Sequence, residues 1–247
     1  MLRKKGQVTL FVIITILIVA AVMTYFFIYK NYQTRQEKLS QEIAPFKVYV
    51  EDCIRKITIE ALELIGLQGG YYEISDPYLP YFNKYLAYYY YDGRNTMPSK
   101  AKIEESISNY VSKELGYCID SSNFPAGVEI LFENFSINTS IEKNIIIKTS
   151  SLAIKKNDEK IIFKEIKVSI PFRLKEVYEK LSQFIKKEVE DPGYFHISYL
   201  TEILGDNFHV NSIPFGENNI IFIIEDKSPT TISIFKKPYI LRFANKY

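Results

Sequence analysis

Between Lys5 and Lys30 the chain carries no charge for 24 residues. As helix, at about 1.5 Å per residue, that run reaches roughly 36 Å, enough to cross a hydrocarbon core of about 30 Å with some tilt. It is preceded by a short basic tip, Met1–Gln7, with Arg3, Lys4 and Lys5 next to the apolar segment Val8–Tyr29. Positive flanks stay cytoplasmic. The expected topology is therefore single-pass, with the N-terminus cytoplasmic, the bulk of the chain extracytoplasmic and membrane lipid as a partner. The flank after the span mixes Lys30, Arg35 and Lys38 with Glu37 and Glu42, so the charge bias is modest. A cleaved secretory signal is the alternative, but its apolar region spans about 7–15 residues and ends in small residues. This run ends Tyr25-Phe-Phe-Ile-Tyr29, too bulky for that cut.

A formal net charge of +2, with basic and acidic residues interspersed, gives no electrostatic footprint for nucleic acid. The 47% hydrophobic and 24% charged content is that of an ordinary globular ectodomain.

After the anchor the chain keeps reading as helix. Asn31–Glu42 is polar and rich in helix formers, and Phe46, Val50, Cys53, Ile57, Ala61, Leu64 and Ile65 recur at three- and four-residue spacings. Pro45 is expected to kink or divide this stalk, and Gly66 with Gly69-Gly70 to end it. Ser99 reads as the N-cap of a second amphipathic helix carrying Ile103, Ile107, Tyr110, Val111, Leu115, Cys118 and Ile119 on one stripe. The chain has two cysteines, Cys53 and Cys118, each on the apolar face of one helix. An isolated pair in an oxidising compartment is expected to be bridged; two buried free thiols are the alternative.

Between those helices lies a tyrosine-dense stretch. Tyr81, Tyr85 and Tyr88-Tyr89-Tyr90-Tyr91 precede the turn Asp92-Gly93. Tyrosines bury area at little entropic cost and still hydrogen-bond, which suits a contact patch. They also suit a small sheet, alternating between core and surface.

From Gly127 the period changes to that of strands. Val128–Phe132, Phe135–Thr139, Ile145–Thr149, Ser151–Lys155 and Ile161–Ile170 read as an antiparallel meander with a hairpin turn at Lys155–Lys160. A helix follows from Leu174 to Val189, stopped by Asp191-Pro-Gly193, then a short one near Ser198–Leu204. The tail returns to strands at Asn219–Glu225, Thr231–Phe235 and Tyr239–Phe243. The fold class is α+β, with amphipathic helices packed on antiparallel sheet. The expected segments are 1–30 (tip and anchor), 31–66 (stalk), 67–126 (tyrosine-rich segment and second helix) and 127–247 (sheet with one or two helices).

Nothing in the sequence marks a catalyst. There is no nucleophile elbow, P-loop or dinucleotide fingerprint, and no cofactor is expected. His196 and His209 fit no metal-ligand spacing and read as surface or turn residues. Glu188, Glu190 and Asp191 read as a solvated helix end. Asn134-Phe-Ser136 and Asn138-Thr-Ser140 fit the glycosylation acceptor pattern.

Lys4-Lys5-Gly6-Gln7-Val8-Thr9, followed by the apolar helix, resembles the class III signal of archaeal type IV pilins. The resemblance implies cleavage between Gly6 and Gln7, retention of the helix, and packing with copies of itself or other pilin-like subunits. Many pilins carry a glutamate at the fifth mature position, where this chain has Phe11. A carboxylate there serves subunit packing when paired with a neighbouring amine, so the departure bears on filament formation. An uncleaved signal anchor would begin in the same way. Cys53, Ile65–Tyr71, Cys118 and Arg242–Tyr247 are further similar to a group of envelope proteins of small-genome archaea. That group has no assigned activity; its likeness favours a surface location and paired cysteines. Three readings follow: a pilin-like structural subunit, a monomeric surface binding protein and, third, an envelope enzyme with dispersed catalytic groups.

Overall fold

Helix α1 runs from Arg3 to Leu67 in the computed structural model of the protein. The structure describes residues 3–119, 128–131, 135–156, 159–163, 165–192 and 194–247, with the backbone alone in 3–11, 31–43, 128–129, 156, 159 and 161. The chain divides into two units, Met1–Tyr49 and Val50–Tyr247.

In the first unit, Val12–Lys30 is a helical stretch long and apolar enough to cross a membrane, and none of it is buried. Pro45 lies inside α1 and does not divide it. A proline removes a single N–H donor, and the turns on either side keep their own bonds.

In the second unit, α1 buries Val50, Cys53, Ile54, Ile57, Ala61, Leu62 and Ile65 along one helical stripe. In chain order there follow β1 (Tyr78–Tyr81), β2 (Lys84–Tyr91), β3 (Arg94–Asn95), α2 (Lys100–Cys118), β4 (Val128–Leu131) and β5 (Ile137–Ile141). Next come β6 (Ile145–Thr149), β7 (Leu152–Lys156), β8 (Glu159–Phe163), β9 (Lys167–Ile170), α3 (Leu174–Glu190) and α4 (Ile197–Leu204). The chain closes with β10 (Phe208–Phe215), β11 (Asn219–Asp226), α5 (Pro229–Phe235) and β12 (Tyr239–Lys246). Ser99 caps α2 by accepting from the Lys102 N–H. Cys53 and Cys118 are disulfide-bonded, Cα to Cα 5.9 Å, which ties α1 to α2.

The principal sheet has the order β1-β2-β12-β11-β10, with β3 on β2. All its pairings are antiparallel except β2 with β12, which is parallel. Its core is an aromatic stack. Tyr89 lies flat on Phe243 at 4.2 Å, Phe243 on Phe222 at 4.9 Å, and Phe184 of α3 meets Phe222 edge-on at 5.3 Å. Leu79, Leu86, Tyr88, Ile221 and Ala244 form a separate buried cluster. Beside it the ring of Tyr81 meets that of Phe215 at 5.5 Å, although β1 and β10 are opposite ends of the sheet. The twist of the sheet thus brings these two long side chains together over one face.

The meander forms as two three-stranded sheets, β4-β7-β8 and β5-β6-β9. They share a frame on one side: Leu152 faces Phe163 and Lys148 faces Lys167, so β7–β8 and β6–β9 continue one another across an interruption. The interruption sits where Thr149 Oγ1 accepts from the Ile166 N–H. The expected hairpin turn has Lys156 opposite Glu159, and its tip, 157–158, lies outside the described residues.

One expected strand is corrected. Thr231–Phe235 is helical, within α5. Its β-branched alternation reads as a strand, but Ser228 caps the Thr231 N–H and Pro229 stands in the first turn, a helix-start signature that prevails locally.

Candidate functional site

Glu188 lies on the last turns of α3, and the apolar stripe of that helix (Val177, Leu181, Phe184, Ile185) turns it toward the sheet. It is 0% exposed, which corrects the expectation of a solvated helix end: the 188 position continues the buried stripe of a 3.6-residue repeat. The Tyr247 hydroxyl donates to Glu188 Oε2 at 2.6 Å, and the His196 backbone N–H donates to Oε1 at 3.1 Å. Asn245, also fully buried, donates through Nδ2 to the Tyr247 hydroxyl at 3.2 Å. Burial raises the Glu188 carboxyl above the usual range, and the bonds from Tyr247 and His196 offset part of that rise. The Tyr247 phenol is pushed up by burial and by the carboxylate it faces. Tyr90, 5.3 Å from the Tyr247 ring, is pushed up by burial first and by Glu188 second.

His196 is half-buried, with Nε2 3.1 Å from the Asp191 carbonyl oxygen and 3.7 Å from the Asp191 carboxylate. His209 is exposed on β10.

Next to this polar knot is a cavity of about 360 Å³, bounded by Pro192, Tyr194, Phe195, the β10–β11 hairpin and Tyr247. Phe195 wedges between Phe222 and Tyr247, at 5.6 and 6.2 Å. Tyr194 is 70% exposed at the mouth. Pro214, Gly216, Glu217, Asn218 and Asn219 form the opposite wall. Asn219 is fixed by the Tyr88 hydroxyl, which donates to its Oδ1 at 2.9 Å. The cavity combines aromatic walls with amide and carboxylate groups, the composition of a small-molecule site.

The tyrosine-rich stretch is divided between core and surface. Tyr88, Tyr89 and Tyr90 are buried, because β2 is an interior strand covered on both faces. Tyr81 and Tyr91 are half-buried and Tyr85 is exposed, its ring 4.6 Å from Tyr78. Phe82, at the β1–β2 tip, is 88% exposed with a positive φ of 51°. Asn138 is exposed on β5, an edge strand, opposite Lys148. Asn134 lies outside the described residues. Gly6 and Gln7 fall within α1, their side chains outside the described residues. Among the described residues no three His, Cys, Asp or Glu side chains gather as a metal site.

Sequence reasoning missed the Glu188–Tyr247 pair and the cavity. The signal for Glu188 was present, since 177, 181, 184, 185 and 188 continue one stripe. The pairing with residue 247 depends on the parallel β2–β12 junction and has no local mark. Compared with protein-family models, curated proteins and solved structures, the chain matches none.

Proposed function

We propose that this protein is a membrane-anchored, extracytoplasmic structural or interaction protein of the cell surface, a pilin-like subunit or minor pilin. The observation that carries the reading is the helical stretch Val12–Lys30, apolar and without a buried residue. Such a surface is costly in water and favourable in hydrocarbon. The basic residues Arg3, Lys4 and Lys5 favour a cytoplasmic N-terminus. The Cys53–Cys118 bond is consistent with an oxidising compartment for the second unit. The Lys5-Gly6-Gln7 junction favours processing ahead of the apolar segment. A helix that runs from the apolar segment to Leu67 fits the same architecture.

A second reading, a monomeric signal-anchored binding protein, is favoured by Phe11, which withdraws the carboxylate used in pilin packing. Intact mass with N-terminal peptide mapping, on protein from its native membrane, separates the two. A mature chain starting at Gln7 supports the pilin-like reading; a chain retaining Met1 removes it in favour of the monomeric anchor.

A further inference from the structure

We infer that the cavity between Tyr194, Tyr247 and the β10–β11 hairpin is a binding site for a neutral saccharide unit. Three features select that class. The volume of about 360 Å³ falls within the roughly 300–1,000 Å³ of small-ligand sites. Tyr194 presents its ring with 70% exposure, and its one described ring neighbour is His196 at 6.5 Å, so a face is left for an apolar C–H surface to stack on. The wall opposite carries Glu217 and Asn218, both exposed, which accept from and donate to hydroxyl groups.

Charge decides against an anionic ligand. Among the described residues that line the cavity there is no Lys, Arg or His. An anion placed there would be repelled by Glu217, with buried Glu188 behind Tyr247 and no cation among the described lining residues to offset them. A purely apolar ligand would strip water from the Glu217 and Asn218 groups without replacing their hydrogen bonds. A pyranose ring satisfies both walls, with C–H faces toward Tyr194 and Phe195 and hydroxyls toward the hairpin. The Glu188–Tyr247 bond holds the cavity floor in place, because it fixes the Tyr247 ring from behind.

The inference does not depend on orientation in a membrane or on filament assembly. Its test uses the full chain in an amine-oxide detergent, which has no sugar headgroup, titrated calorimetrically with maltohexaose, cellohexaose, mannohexaose and an N-acetylglucosamine hexamer. A sulfated hexasaccharide serves as the anionic counter-probe. At least one neutral hexamer is expected to bind at one site per chain, with affinity falling about tenfold or more in Tyr194→Ala and about fivefold in Asn218→Ala. Tyr85→Ala, an exposed ring outside the cavity lining, should leave binding unchanged. No binding of any neutral hexamer up to about 10 mM overturns the proposal, as does binding that Tyr194→Ala reduces less than about threefold. Preference for the sulfated probe overturns it too.

Discussion

The hydroxyl of Tyr247 donates to Glu188 Oε2 at 2.6 Å and accepts from Asn245 Nδ2 at 3.2 Å. One phenol thereby links the end of α3 to the end of β12. The carboxylate it serves has the His196 N–H as its other described donor. Two donors are few for a fully buried carboxylate, and so burial outweighs them and the proton is held more tightly than in an exposed glutamate.

The sign of the resulting pH dependence follows. With the folded-state value above glutamate's ordinary 4.5, the folded chain binds more protons than the unfolded one in that window. Stability contributed by this group is present below about 4.5 and is lost as pH rises through the raised folded value. Glu188→Gln should remove this slope. Tyr247→Phe should cost about 1–3 kcal/mol by leaving the carboxylate short of a donor, and should steepen the slope. Urea unfolding of the full chain across pH, wild type minus Glu188→Gln, checks it; parallel curves would sink the idea.

Much of the fold is legible in local pattern, and the site is not. Ser99, the stripe Ile103–Leu115 and the α3 stripe each fix an element from neighbours three and four residues away. Asp92 and Gly93 both adopt positive φ, as the β2–β3 turn requires. Thr231–Phe235 reads wrongly because five alternating residues carry less weight than the Ser228-Pro229 start ahead of them. The run Tyr88–Tyr90 is ambiguous by itself. Whether consecutive tyrosines are surface or core depends on whether both sheet faces are covered, which the packing of distant elements onto the sheet decides. The cavity draws on Pro192, Tyr194, Phe195, Pro214, residues 216–220 and Tyr247, whose proximity is a property of topology.

Cys53 and Cys118 close a loop with a sequence separation of 65. In the chain-entropy model a loop of that length stabilises the folded state by about 4 kcal/mol. Cys53→Ser with Cys118→Ser should lower the unfolding midpoint of the second unit accordingly. The bond itself is checked by the mobility of the wild type on gels with and without reductant. A pair of variants as stable as wild type would show that the bridge contributes nothing.

Tyr239 fills the space that a side chain at Gly66 would need. A Cβ on Gly66 would lie 2.5 Å from the Tyr239 hydroxyl and 2.6 Å from the Ile240 carbonyl oxygen, and a backbone atom cannot step aside. Gly66→Ala should therefore destabilise by about 1–3 kcal/mol or more through overpacking. The Tyr239 hydroxyl is buried without a hydrogen-bond partner among the described residues. Its phenol is accordingly pushed above the usual range, by burial first. Tyr239→Phe should be neutral or stabilising, since it removes a desolvated group that gains nothing in return. Thermal unfolding of both variants is the measurement, and a large loss in Tyr239→Phe would contradict the reading.

Arg173 and Asp226 form the opposite kind of buried pair. Arg173 Nε and Nη2 donate to the two Asp226 oxygens at 2.9 and 2.6 Å, with the guanidinium 4.2 Å from the Phe208 ring centre. The Ser228 N–H and Thr231 hydroxyl also donate to the carboxylate, which joins the α5 cap to the start of α3. Burial alone would raise Asp226, but these hydrogen bonds outweigh it and hold the carboxyl below its ordinary 3.8. Its contribution to stability is thus present above about 3.8 and lost as pH falls through the folded value. Arg173→Leu should cost about 3–5 kcal/mol at neutral pH by leaving a desolvated charge. The folded value should then move above 3.8, which inverts the sign: the variant loses stability as pH rises. Adding Asp226→Asn should recover part of the loss, because a neutral amide avoids the desolvation that a lone carboxylate bears and its carbonyl oxygen keeps an acceptor for the α5 cap. Urea unfolding of the single and double variants at acid and neutral pH decides it; a double variant no more stable than Arg173→Leu would show that packing around Arg173, rather than the uncompensated charge, dominates.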